Sequence, residues 1–427
     1  GGVRAGEGGA SRRFRSAPGR DRMSSAPFPS LTALCHAFRR FMDREDGVAV
    51  CQLLAPERIP MRDLGSEKRV QDVCAREGGE PFGEALGLYL LCLQARENGE
   101  ALRELELVCT SLKTWVQRYI EVEGTGLWMT PVIIYLSTAA RRVAAQLDQS
   151  KRSESGNDAY LKKLVEIHRE LFQKLNKERT KRAGHVWVCC ELLRAYFLLG
   201  QISQCSFLLN AVSQSLNKDG FNPTDLPKAI AVTFFFYWGK HCVFSHNLPD
   251  ADERLTWAFN NCPAKSRSNR RRILLYLVPC KLRLGVLPTQ ALLQQHGLVM
   301  FIDIVRALRE GNVRLFTQKM EEHASDFIKQ GTYLLMMKLK FMVMRNLCKG
   351  VHKEVRRSLG ENAAHKLDLA PFERAFDWQD DCDADETACV LSNLIYQGAV
   401  KGYLSHEHRK LVFAKDLPFP PPSKWKS

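Results

Sequence analysis

Alternating apolar and polar residues, the mark of a half-buried strand, are almost absent from this 427-residue chain before residue 400. That excludes a sheet-based fold for most of its length. No apolar run approaches the roughly 20 residues that cross a bilayer, so no membrane insertion is expected. None of the 14 cysteines lies in a C-x-x-C pair, and no His/Cys group has zinc-ligand spacing. No secretory leader is read, so the thiols are expected to be reduced, as in the cytosol or nucleus. There is no Walker loop, no G-x-S-x-G and no H-E-x-x-H, and nothing pairs a nucleophile with a base. The expectation is therefore no enzyme, no metal and no cofactor. Acidic residues are in short supply too: 47 Asp and Glu face 62 Lys and Arg, a net charge of +15. That balance favours a polyanion or an acidic protein partner, with a merely solvated basic surface as the alternative.

What is present is helical. Residues 1–28, rich in Gly, Ser, Arg and Pro, are expected to be a disordered basic segment, with Met23 a candidate start. Residues 29–225 read as N-terminal helical repeats. Ser30 is positioned to cap a helix carrying Leu31, Leu34, Phe38 and Phe41. Leu86 to Leu93, Leu102 to Trp115 and Val132 to Leu147 mark further helices, and 149–158 a polar loop. Tyr196–Ile202, Val243–Pro249 and Leu282–Pro288 are three similar helix-turn-helix corners. Gln201 and Asn247 lie 46 residues apart and His246 and Gly285 lie 39 apart, the spacing of tetratricopeptide-like helical pairs that stack into a solenoid. An irregular helical bundle is the alternative. Residues 332–348 read as one helix, apolar on most faces and buried, and Leu367 to Phe376 as another. The acidic turn Asp380 to Asp385 fits capping of the next helix better than a calcium loop.

The last ordered stretch carries the functional question. Val390, Leu391, Leu394 and Ile395 sit at helical spacing and end at Tyr396. Tyr403 and Leu404 then form a short strand, Ser405 to Lys410 a polar turn, and Leu411 to Phe413 a return strand. Helix, strand, basic turn, strand is the end of a winged helix. Basic side chains cluster at Lys265 to Arg272, along Lys338 to Arg357, and at the wing, with Lys415, Lys424 and Lys426 beyond it. Arg270, Arg271, Arg272, Lys401, His406, His408, Arg409, Lys410 and Lys415 are the candidate nucleic-acid residues, because cations neutralise phosphates and a wing can lie along a backbone. Leu391, Leu394, Tyr396 and Tyr403 are the candidate partner interface; Tyr403 and Phe413 are also candidates to stack on unpaired bases, but the hairpin's own core is the better place for both. A metal pair at His406 and His408 lacks further ligands.

Helical repeats that end in a winged helix resemble a PCI domain, here residues 226–415, with repeats over 226–298, the winged helix over 299–415 and a Pro/Lys-rich tail over 416–427. Arg270–Gly285, Ala307–Val313, Asn393–Tyr396, Val400–His408 and Leu417–Pro421 resemble stretches of the PCI-domain-containing protein 2 family. Cys280 and Arg283 stand where that family leads one to expect more apolar residues. The resemblance implies an all-α scaffold of the TREX-2 complex in mRNA export at the nuclear pore. Its implied partners are a larger PCI scaffold subunit, a small acidic polypeptide shared with the proteasome lid, and RNA or DNA. The implied location is the nucleus and the nuclear-pore periphery, with some cytoplasmic pool. The same family includes subunit-12-like proteins of the COP9 signalosome, so a purely protein-binding module is the alternative.

Overall fold

The computed structural model describes residues 27–150, 158–359, 365–422 and 425. The first 26 residues of the basic segment, most of the loop read over 149–158, and Lys424 and Lys426 lie outside the described residues. The chain divides into two compact units that meet at Tyr160 and Leu161.

The first unit holds α1 (Leu31–Asp43), α2 (Gly47–Leu53), α3 (Glu67–Glu77), α4 (Gly83–Glu97), α5 (Ala101–Glu121) and α6 (Thr130–Ser150). The Ser30 hydroxyl accepts the Ala33 N–H at 3.2 Å, which satisfies a donor that a helix start otherwise leaves free. Leu34 and Phe38 bury the inner face of α1, and Phe38 meets Trp115 edge-on with ring centroids 6.3 Å apart.

In the second unit α7 (Ala159–Asn176) leads into α8 (Arg182–Leu198), α9 (Ile202–Lys218), α10 (Lys228–Phe244), α11 (Leu248–Asn261) and α12 (Arg267–Arg283). The three corners expected from the sequence are built alike. Gly200, His246 and Gly285 take left-handed backbone at φ 69°, 58° and 85°. The next N–H in each case bonds five residues back: Gln201 to Tyr196 O at 2.9 Å, Asn247 to Cys242 O at 2.9 Å, Val286 to Lys281 O at 2.8 Å. The first helices of successive pairs, α8, α10 and α12, pack in a row. A second repeat runs along them. Arg169 donates to Tyr196 Oη at 2.9 Å, Arg194 donates to Tyr237 Oη at 2.6 Å, and the Lys240 ammonium lies 5.0 Å from the Tyr276 ring centre. Arg169 and Arg194 thus each bond a tyrosine of the next helix in the row, while Lys240 sits between Phe197 of α8, at 4.1 Å, and Tyr276 of α12.

Beyond the repeats come α13 (Gln290–Gln295), α14 (Ile302–Glu310), α15 (Val313–Glu322), α16 (Ala324–Gln330) and α17 (Tyr333–Met337). Lys338 interrupts the helix expected over 332–348, and α18 (Leu339–Leu359) starts after it. α18 is shared between two cores: Met342 and Val343 join the repeat-side core, and Cys348 joins the winged-helix core. Gly311 ends α14 at φ 73°, and a Cβ there would lie 2.4 Å from the Leu347 nitrogen, so only glycine lets α14 approach α18. The winged helix is completed by β1 (Lys366–Asp368), α19 (Ala370–Asp380), α20 (Ala384–Tyr396), β2 (Gly402–Ser405) and β3 (Lys410–Phe413), with strand order β1-β3-β2 and both pairings antiparallel. The helix expected from Leu367 therefore begins at Ala370. Lys366–Asp368 extends instead, because its ladder partners, Lys410 to Val412, hold it there.

The tail folds back over this junction. Arg345, buried on α18, donates to Phe419 O at 2.8 Å and Pro420 O at 3.1 Å. Trp425 Nε1 donates to Pro420 O at 3.0 Å, and the Arg283 guanidinium lies 5.9 Å from the Trp425 ring centre. Arg283 thus serves as a cover for an aromatic ring, and Cys280 is buried with its thiol donating to Leu248 O at 3.3 Å.

Candidate nucleic-acid and partner interface

The acidic turn caps α20. Asp383 Oδ1 accepts the Glu386 N–H at 2.8 Å, and Glu386 Oε2 accepts the Asp383 N–H at 3.1 Å. Asp380 pairs with Lys340 at 2.9 Å. From the capped start, α20 presents Asp385, Glu386, Cys389, Ser392, Asn393 and Tyr396 outward. It carries no Lys or Arg anywhere. The helix that commonly enters a groove in such domains is thus acidic at its start and neutral beyond, which suits phosphates poorly. The subdomain's candidate cations lie instead on the strand side.

There the pleat sorts the side chains. Tyr403 pairs with Val412 and Leu404 with Leu411, so Leu411 and Phe413 point into the core while Tyr403 points away from it. Tyr403 is 61% exposed and Tyr396 is 72% exposed. Phe413 is buried against Phe419 and His352, at ring distances of 5.5 Å and 4.5 Å. The expectation that placed Tyr403 in the hairpin core is overturned, and that for Phe413 holds. Leu391 and Leu394 are corrected as well. At 1% and 0% exposed they fill the subdomain's own core, leaving nothing to present to a partner.

The cations fall into three groups. Arg409, in left-handed backbone at φ 49°, bonds Glu373 at 2.6 Å, and Lys410 bonds Asp368 at 3.2 Å. Both are tethered to carboxylates that flank the sheet. Lys401 and Lys415 are exposed and have no carboxylate partner among the described residues. Lys401 is fixed through its backbone, its N–H donating to Pro418 O at 2.8 Å and its C=O accepting from Ala414 N at 2.9 Å. His406 and His408 are exposed in the turn, which Arg409 N closes onto His406 O at 3.2 Å.

The third group lies apart. Arg270 donates to Phe259 O at 3.4 Å and Cys262 O at 3.1 Å and stacks 4.0 Å over the Phe259 ring, so it joins two helices rather than facing solvent. Arg271 and Arg272 are exposed near the start of α12. They stand about 18 Å along the helix axis from Arg283, where the tail arrives. Along α18, Arg345 and Lys340 are committed to the tail and to Asp380, while Lys349 and Lys353 are exposed. Among the described residues, no group of three or more His, Cys, Asp or Glu side chains is placed to hold a metal ion, and no helix is long and apolar enough to cross a membrane.

Stacked helical pairs that pass into a three-stranded winged helix define a PCI-domain fold, the α-helical scaffold module. No family model matches the chain. Among known proteins it is similar to Enhanced ethylene response protein 5 of Arabidopsis thaliana, 30% identical over 399 residues that cover 91% of this chain and 95% of that protein. It is 32% identical to PCI domain-containing protein 2 of Xenopus laevis over 84% of this chain and 88% of that one. A Protein CSN12 homolog of Gibberella zeae is 29% identical over 57% of this chain and 56% of its own length. The chain belongs to the PCI domain-containing protein 2 family.

Proposed function

We propose that this chain is a non-enzymatic scaffold subunit of the TREX-2 complex, acting in mRNA export coupled to transcription at the nuclear pore. In this reading it docks a larger PCI scaffold subunit and a small acidic polypeptide, and it binds RNA or DNA through the strand side of its winged helix. Its place is the nucleus and pore periphery, with some cytoplasmic pool. The observation that carries the nucleic-acid part is the outward set Lys401, Tyr403, His406, His408, Arg409 and Lys410 around one small sheet whose other face buries Leu367, Leu411 and Phe413. Cations there meet phosphates, and an exposed tyrosine stacks on a base.

Reversing charge at Lys401, Arg409 and Lys410 together is expected to weaken RNA binding by about tenfold or more at low salt and to flatten its salt dependence. Fluorescence anisotropy measures both, and circular dichroism checks that the fold is kept. Unchanged affinity removes the wing from the site.

The tethering of Arg409 and Lys410 to Glu373 and Asp368, together with the likeness to a Protein CSN12 homolog, favours a second reading. There the chain is a signalosome-associated module that binds only proteins, with Tyr396 and Tyr403 at the contact. Affinity purification distinguishes the two. A large winged-helix scaffold with a small acidic chain supports the first, and signalosome subunits support the second.

A further inference from the structure

In the first unit, Cys35 on α1 and Cys74 on α3 bring their sulfurs to 3.8 Å, a thiol–thiol hydrogen bond. Both side chains are 0% exposed. Cys74 is held from behind by glycines. A Cβ on Gly83 would lie 2.2 Å from Cys74 O, and one on Gly87 would touch the Cys74 Cβ at 3.4 Å. Gly78 N also donates to Cys74 O at 2.9 Å. The start of α4 thus fixes the backbone that aims Cys74 at Cys35. Above the pair lies a surface layer in which Glu77 accepts from Arg76 at 2.9 Å and meets His36 at 3.1 Å.

Cys389, by contrast, is exposed.

We propose that Cys35 and Cys74 form an oxidation site, a dithiol that a peroxide-class oxidant closes to a disulfide, stapling α1 to α3. Cys35 is the attacking sulfur. The contact with Cys74 holds its thiol below the ordinary value, against burial and the Glu77 carboxylate, and the same contact pushes Cys74 up. The Cys35 thiolate attacks one peroxide oxygen, the O–O bond breaks, and the departing hydroxide takes a proton to become water. Cys74 then attacks the Cys35 sulfenic sulfur. Hydroxide leaves and takes the Cys74 proton as a second water. Two thiols are oxidised and one peroxide is reduced. Bond formation closes the sulfurs from 3.8 Å to about 2.05 Å. The bridge closes a loop across 39 residues, which restricts the unfolded chain.

The test uses the full chain with Cys389→Ser, which removes intermolecular pairing. It is incubated with hydrogen peroxide, alkylated in denaturant and digested without reductant. The Cys35 and Cys74 peptides are expected as one cross-linked species about 2 Da lighter than their sum, reversed by dithiothreitol and lost in Cys35→Ser or Cys74→Ser. The oxidised chain is expected to melt about 5 °C higher in its first transition. The primary readout needs no core variant, so a folding defect in either serine variant leaves it intact. Recovery of both peptides as alkylated thiols, under peroxide that oxidises Cys389 in the parent chain, overturns the proposal. So does pairing of Cys35 with any other cysteine.

Discussion

The helical repeats and the winged helix use their basic residues in opposite ways. In the repeats, Arg169 and Arg194 are turned onto tyrosines of the following helix, Lys240 onto the rings of Phe197 and Tyr276, and Arg270 onto two carbonyls and a ring. In the winged helix, Arg409 and Lys410 stand at the rim in exposed ion pairs, and Lys401 and Lys415 face solvent. The charge of +15 is therefore no single basic surface. Cations in the repeats set the register between helices, whereas those at the wing can exchange a carboxylate for a phosphate at little cost to the fold.

Arg345 tests this comparison hardest, because it is a winged-helix residue used as the repeats use theirs. It is buried without a carboxylate and holds Asn346 Oδ1, Phe419 O and Pro420 O. Arg345→Ala leaves those oxygens unsatisfied and opens a void, with an expected loss of about 3 kcal/mol in urea unfolding. The tail is expected to detach, exposing Trp425 to quenchers. A loss under 1 kcal/mol would show that the tail is held by its prolines and aromatics alone.

The repeats also carry a buried histidine that the surrounding protein keeps uncharged. His185 packs on Phe172 at a ring distance of 4.5 Å, and burial, with Arg182 adding to it, holds its pKa down to about 3. It stays neutral in the fold, while the unfolded chain takes up a proton as pH falls below about 6.5. Stability is thus fully present above that pH and is lost progressively between about 6.5 and 3. By pH 5 this group alone is expected to cost about 2 kcal/mol relative to pH 7. Chemical denaturation of His185→Leu at the two pH values should lack that part of the slope. An unchanged slope would place the acid sensitivity elsewhere.

A smaller effect measures one rung of the cation–tyrosine row. Arg194 and Tyr237 are expected to couple by about 1 kcal/mol in a double-mutant cycle with Arg194→Met and Tyr237→Phe. No coupling would make the row a packing coincidence.

Local chemistry made some of this legible. The helix corners declared themselves because Gly200 and Gly285 tolerate left-handed backbone, and the caps because Ser30 and Asp383 precede apolar helices. The hairpin 402–413 is also local, and its strands fall nearly where the sequence places them. What escaped depends on distant partners. Lys366–Asp368 has one apolar residue and becomes a strand only when β3 pairs with it. Leu391 and Leu394 share their helix with Tyr396, and only the packed core decides which faces solvent. Tyr196, Tyr237 and Tyr276 recur at 41 and 39 residues, a signal present in the sequence but carried by one side chain per repeat.

The smallest expected change in stability is at the wing, where it separates tether from site. Glu373 holds Arg409 at 2.6 Å, with Arg409 61% exposed and Glu373 18% exposed. Glu373→Gln keeps a hydrogen-bond acceptor and removes the charge, so unfolding should move by less than about 0.5 kcal/mol. If the wing reads phosphates, Arg409 no longer has to leave a carboxylate to meet one. RNA affinity should then rise about threefold at low salt, and the salt slope should steepen by as much as one ion. Arg409→Gln in the same background should cancel both. If the wing instead packs on a protein, neither affinity nor slope moves, and the ion pair is a strut that orients the turn. One half-buried carboxylate therefore decides whether the wing's charge serves as a nucleic-acid contact or as structure, as Arg194 and Arg270 serve in the repeats.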